Sequence, residues 1–169
     1  MPGETIYYKS PLGILRIKEE SGYILEVHFL QDLKETENDT ISPEVYSYSE
    51  ILNKCIQQLD KYFAGEIISF ELPLSQQGSH FQKKVWDALY NIPYGKTISY
   101  LELSKRIGNT KAIRAVGSAN GKNNIAIIVP CHRVIGSNGN LIGYTGELWR
   151  KKWLLNHEAK YANGVQTLF

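Results

Sequence analysis

Cysteine is scarce in this chain: Cys55 and Cys131 are the only two among 169 residues, too few for the bridged framework of a small secreted scaffold. Its four histidines show no metal-ligand spacing, so no metal or other cofactor is expected. A long apolar run is missing as well. The longest, Ile125 to Pro130, is far too short to span a bilayer, and Met1-Pro2-Gly3-Glu4-Thr5 lacks the charged start and apolar stretch of a signal peptide. These absences predict a reducing, cytoplasmic setting without a membrane partner. Charge of one sign is lacking too, since the net value is only +2. As a whole-chain figure it argues against a nucleic-acid binder, which usually carries a marked basic excess. Hydrophobic and charged fractions of 43% and 21% exclude disorder and fibrous repeats. The length allows one good core, or two small ones of about 80 residues each.

What is present begins as strands. Residues 6–8, 14–18 and 23–30 are β-prone runs parted by Pro11-Leu12-Gly13 and Ser21-Gly22, which predicts an antiparallel meander. In the third run Leu25, Val27 and Phe29 alternate with Glu26 and His28, placing the first set on a core. Gln31 to Ser42 is polar and acidic and reads as a loop. A helix is expected from about Pro43 to Ala64, because Ile51, Leu52, Cys55, Ile56, Leu59, Tyr62 and Phe63 recur at helical spacing before Gly65. Cys55 on that stripe reads as a buried core thiol. A strand over Ile67 to Leu74 precedes the small polar segment Ser75 to Ser79, the natural boundary between domains 1–78 and 79–169.

Phe81, Val85, Trp86 and Leu89 define a further amphipathic helix ending near Pro93-Tyr94-Gly95. Ser99-Tyr100-Leu101-Glu102 fits a capping box. The helix it opens stops at Gly108-Asn109, with Thr110 as the N-cap of another from Lys111 through Asn120. Two short capped helices joined by such a turn describe a helix-turn-helix, and equally an ordinary helical hairpin. From Lys96 to Lys122 six basic residues stand against Glu102 alone. Residues 1–80 hold 6 basic and 13 acidic side chains, residues 81–169 hold 13 and 4. The small net charge is therefore a cancellation between an acidic half and a basic half. The basic half suits a polyanion, though a solvated basic face has the same composition.

Ile125 to Val129 reads as a short buried strand running into Pro130-Cys131-His132-Arg133-Val134. A free thiol is only a few per cent ionised at neutral pH, and a neighbouring proton acceptor or cation raises its reactivity. Cys131 is thus a nucleophile candidate, while a structural thiol beside exposed charges satisfies the same local pattern.

Together with Arg114-Ala115-Val116-Gly117, Asn123, Gly143-Tyr144-Thr145-Gly146 and Trp153-Leu154-Leu155-Asn156-His157-Glu158, this motif resembles the O6-alkylguanine-DNA alkyltransferase family across residues 80–160. Residues 1–75 match only in general character. The resemblance implies an α+β chain: a small N-terminal antiparallel sheet with helix, ribonuclease H-like, and a mostly helical, winged-helix-like C-terminal domain with the helix-turn-helix. It implies irreversible transfer of an alkyl group from O6-alkylguanine, and from O4-alkylthymine, in double-stranded DNA to Cys131 of a monomer. By the same resemblance His132 is the base through a water, Glu158 orients it, and Asn123 holds the surrounding turn. Tyr100 turns the target phosphate and protonates the departing guanine. Arg114 fills the gap left by the flipped nucleotide, on a helix kept slim by Ala115, Gly117 and Ser118 that enters the minor groove. Thr110, Lys111, Lys122 and Arg133 meet DNA, while Val134, Gly143, Tyr144, Thr145 and Gly146 line the base pocket, entered through an Asn138-Gly139 turn. Trp149 and Trp153 read as core, and His157 is left outside the site.

The chain departs from the family at Gly121-Lys122-Asn123-Asn124, where many members carry Arg-Gly-Asn-Pro, and it lacks the zinc-binding residues of some relatives. Two other classes compete. A helix-turn-helix protein could recognise DNA without chemistry, although relatives of that kind carry tryptophan in place of the cysteine. A cysteine hydrolase would need an oxyanion hole and would turn over.

Overall fold

In the computed structural model, residues 2–31, 48–66, 69–144 and 146–164 are described. Of the acidic loop expected over Gln31 to Ser42 all but Gln31 lies outside them, as does Thr145, and the helix expected from about Pro43 begins instead at Glu50, because Ser49 is its N-cap. The chain divides into two units, Met1–Gln76 and Gln77–Phe169. Among the described residues no helix is long and apolar enough to cross a membrane.

In the first unit β1 (Glu4–Ser10), β2 (Gly13–Glu20) and β3 (Tyr23–Phe29) form the expected meander in that order. The β2–β3 turn places Ser21 and Gly22 at φ 53° and 83°, the left-handed pair that matches the twist of a two-residue hairpin. The inward residue near the start of β3 differs from expectation. Lys18 pairs with Glu26 but Glu19 pairs with Ile24, so the strand bulges at Leu25. One extra residue exchanges faces, and Ile24 is buried in place of Leu25. Helix α1 (Glu50–Phe63), capped by Ser49, packs on β3 through a stripe containing Leu52, Cys55, Leu59 and Tyr62. Burial pushes the Cys55 thiol up to about 12, as suits an inert core residue.

The strand expected over Ile67 to Leu74 reduces, in its described part, to a single parallel bridge between Ile24 and Leu74. Pro73 has no N–H to extend a ladder. Buried Gln58 instead pairs with both backbone groups of Glu71, at 3.0 and 2.9 Å.

The second unit opens with α2 (His80–Tyr90), whose Ser79 and Gln82 exchange the reciprocal bonds of a capping box at 3.1 and 2.9 Å. Val85, Trp86 and Leu89 are its buried face. Strand β4 (Ile98–Ser99) leads into α3 (Tyr100–Arg106), and α4 (Ile113–Gly121) follows the Gly108 turn. Ser99 caps α3 as expected, but Glu102 turns to Arg106 at 3.3 Å rather than back to the cap. Thr110 is not an N-cap. Asn109 takes the backbone N–H groups of Lys111 and Ala112 in a turn, so α4 starts at Ile113 with Ala112 before it.

Ile125 to Val129 is a buried turn, not a strand. Ile127 sits at φ 71°, and the Asn123 amide donates to the carbonyls of Ile125 and Val129 at 3.2 and 2.9 Å. A turn of 3-10 helix at Cys131–Arg133 follows, then β5 (Val134–Ile135), parallel to β4, and finally α5 (Leu148–Asn163). Trp149 is a correction as well: it is 50% exposed, its indole N–H bonded to Glu147 Oε2 at 2.7 Å and its ring under the Arg150 guanidinium. Trp153 is half-buried and stacks on His157 at 4.7 Å.

Candidate active site

Cys131 stands where the Asn123-held turn meets the 3-10 helix, and it is 6% exposed. Burial holds its thiol above the ordinary value. Acting against burial are a hydrogen bond from Asn123, the Lys151 charge and the backbone N–H groups of Cys131 and His132. The next residue, His132, is wholly buried. Its Nε2 lies 2.7 Å from Glu158 Oε1, and its Nδ1 is buried with no partner. Burial pulls the imidazole below its usual value, more strongly than Glu158 raises it, so the ring rests neutral. An ionised Glu158 then accepts the hydrogen bond from Nε2–H and leaves the Nδ1 lone pair free as a base. Burial opposes that carboxylate, but its bonds with His132 and Arg133 hold it well below the usual carboxylate range.

Arg133 is therefore no surface contact for DNA. It is buried, with Nε and Nη2 on the two Glu158 oxygens at 2.8 and 2.9 Å and Nη1 on the Ile92 carbonyl at 2.6 Å. A bidentate guanidinium of this kind locks a carboxylate in place.

Across from this cluster, the Tyr100 hydroxyl at the start of α3 donates to the Ile142 carbonyl at 3.0 Å. Gly143 follows at φ 63°, and a Cβ there would stand 3.1 Å from the Tyr100 oxygen, so both the backbone and the tight contact favour glycine. The Tyr144 hydroxyl is buried without a partner, and burial, with the Cys131 charge, pushes it well above the ordinary phenol value. Gly146 accepts from Arg150 at 3.2 Å. The Val134 carbonyl already accepts from Lys151 Nζ at 2.6 Å, and the same ammonium reaches the Ile142 carbonyl at 2.8 Å. Lys151 was not singled out by sequence, which counts it among the basic residues. Its signal was the spacing Lys151, Leu154, Leu155, Glu158, one face of a helix. Burial lowers its ammonium to about 8, with the Cys131 charge acting the other way.

On α4, Arg114, Ala115 and Ser118 are exposed and Gly117 is half-buried, with Thr110 and Lys111 exposed before the helix and Lys122 after it. Val116, Ala119 and Asn120 face inward. Among the described residues no cluster of three His, Cys, Asp or Glu side chains could hold a metal ion. The site brings together a thiol, a neutral imidazole with a fixed tautomer, a buried carboxylate and a phenol. That set can perform nucleophilic transfer with proton removal on one side and proton donation on the other.

Two family models match the chain: the DNA binding domain of 6-O-methylguanine DNA methyltransferase over residues 80–160, and the ribonuclease-like domain of the same proteins over residues 5–76. The methylated-DNA–protein-cysteine methyltransferase of Methanosarcina acetivorans is 45% identical over 151 residues, 89% of this chain and 95% of its own. The constitutive enzyme of that name from Bacillus subtilis is 47% identical over 155 residues, covering 89% and 92%. A crystal structure of Mycobacterium tuberculosis OGT in complex with DNA is similar at a TM-score of 0.81 and 40% identity, covering 93% of each chain.

Proposed function

The chain belongs to the methylated-DNA–protein-cysteine methyltransferase family, and from that premise we propose that Cys131 is the residue that receives the alkyl group. The substrate is O6-alkylguanine in double-stranded DNA, with O4-alkylthymine as a second lesion, and the protein acts as a cytoplasmic monomer. The observation that carries the reading is the buried His132, whose Nε2 is held by Glu158 while Nδ1 is unpartnered beside the thiol residue.

At rest the pair is thiol and neutral imidazole. The thiol proton passes through one water to His132 Nδ1, and Glu158 stabilises the imidazolium that forms. Asn123, Lys151 and the two backbone N–H groups stabilise the thiolate. Sulfur attacks the alkyl carbon, the carbon–O6 bond breaks, and Tyr100 gives a proton to the departing purine. The product is a thioether, which has no acyl group for water to cleave, so each molecule reacts once.

Reaching a stacked O6 requires nucleotide flipping. The exposed face of α4 enters the minor groove, Arg114 fills the vacated space, and Thr110, Lys111 and Lys122 meet phosphates. Gly143, Tyr144 and Gly146 wall the base pocket, with the remaining lone pair of the Val134 carbonyl for the exocyclic amine.

The test is a duplex bearing O6-methylguanine in excess over protein, followed by peptide mass spectrometry. One methyl group on the Cys131 peptide per molecule is expected, lost in Cys131→Ala. Repeated turnover, or binding without modification, overturns the proposal.

A further inference from the structure

Asn120 is a buried polar side chain that the transfer chemistry above does not use. It is 1% exposed on the inner face of α4, and its Oδ1 is buried without a partner. An amide half satisfied in this way is worse for stability than an apolar side chain of the same shape, so packing alone gives no reason for asparagine here. Its Nδ2 lies 3.5 Å from the Cys131 carbonyl, and the side chain sits close enough to the Tyr100 phenol to act on its pKa, lowering it against burial. The Tyr100 ring meets α4 one turn earlier as well, since a Cβ at Gly117 would stand 3.8 Å from Tyr100 Cδ1. Positions 117 and 120 thus form one seat for the phenol.

We infer that Asn120 is a positioning residue for proton donation by Tyr100: its amide, tied to the backbone of the attacking cysteine, holds the phenol oxygen and stabilises the phenolate left when the proton departs. This rests on the reading of Tyr100 as the donor. As the sulfur–carbon bond forms and the carbon–O6 bond breaks, the electron pair goes to the purine, which takes the Tyr100 proton. The thiol proton rests on His132, and solvent later reprotonates the phenolate. Burial and the Cys131 charge both disfavour that phenolate, and Asn120 acts the other way. Asn120 thereby couples the helix proposed to read the groove to the residue proposed to release the base.

The test is single-turnover methyl transfer from an O6-methylguanine duplex to the full chain, with Asn120→Leu and Tyr100→Phe combined in a double-mutant cycle. Asn120→Leu should slow transfer about tenfold or more, the scale of a hydrogen bond to a forming charge. The duplex Kd, measured with Cys131→Ser in both backgrounds, should not change. With Tyr100→Phe already present, the same substitution should cost less than about twofold. Equal losses in both backgrounds overturn the inference.

Asn120→Asp keeps the shape and carries the test if the leucine variant does not fold. Relative to the parent, its transfer rate should fall as pH rises and the new carboxyl ionises, and this trend should vanish with Tyr100→Phe. Cys131, His132 and Lys151 titrate in every variant, so the difference from the parent is what is read. A trend that persists without the phenol counts against the inference. If Tyr100→Phe alone is as fast as the parent, the donor reading and this inference both fall, while methylation of Cys131 would still uphold alkyl transfer.

Discussion

Replacing Lys151 with Met removes a buried ammonium while keeping most of the side-chain volume, and the structure sets separate expectations for stability and activity. The ammonium is held at about 8, against an ordinary 10.5, chiefly by burial. At about 1.4 kcal/mol per pH unit, keeping it charged in the fold costs about 3 kcal/mol at neutral pH. Against this stand its hydrogen bonds to the Val134 and Ile142 carbonyls, worth about 1.5–3 kcal/mol each as bonds from a charged donor. Lys151→Met should therefore change stability at pH 7 by no more than about 3 kcal/mol in either direction. The pH dependence is sharper. Between about 8 and 10.5 the unfolded chain binds a proton that the folded chain does not, so the parent gains stability as pH rises through that window. Urea unfolding of parent and variant from pH 7 to 10.5 should show their difference moving by about 3 kcal/mol in favour of the parent. A difference flat across that range refutes the assignment of a depressed, buried ammonium. Methyl transfer at pH 7 should meanwhile fall at least tenfold, because the Cys131 thiolate loses a stabilising cation.

Glu158→Gln should slow transfer on the order of 10³-fold or more, as when the carboxylate behind a catalytic histidine is removed. It should also cost about 3–5 kcal/mol in urea unfolding by leaving Arg133 buried and unpaired. In the parent, the contribution of Glu158 is present above the ordinary carboxylate pKa and lost as pH falls towards its depressed folded value, so the variant should lack that part of the acid transition. Lys122→Ala should lower the salt dependence of DNA binding by about one counterion. Arg133→Met should leave that slope alone and lower stability instead. Arg114→Ala should weaken repair of duplex far more than reaction with free O6-benzylguanine, and equal losses on the two substrates count against its stack-filling role.

Local signals carried well where the physics is local. The meander followed from two turn sequences, and α1 and α2 from apolar spacing with their stop signals. The alternation in β3 failed at Leu25 because a bulge depends on the partner strand's register, which β3 alone does not encode. Ile125 to Val129 has the composition of a buried strand, yet the Asn123 side chain folds it into a turn, and a short apolar run does not distinguish the two. Arg133 shows the same limit at the site: the resemblance implied a DNA contact, but its direction is set by Glu158, 25 residues away, and by the Ile92 carbonyl. Trp149 was read as core from its bulk, although the start of α5 leaves its ring outside under Arg150.

Two of the buried charges on α5, Lys151 and Glu158, belong to one device. Lys151 and Glu158 are seven residues apart on the same helix face, about 10 Å along the axis. Moving a proton from Cys131 to His132 creates a negative charge on sulfur and a positive one on the ring. The Lys151 charge lowers the thiol's pKa while the Glu158 charge raises the imidazole's by more than Lys151 lowers it, so together the two favour this separation. Burial favours the neutral pair, which keeps the thiol quiet until substrate excludes water and strengthens both electrostatic terms. A helix with one charge of each sign at that spacing thus holds a reactive thiol in check and also lowers the cost of releasing it.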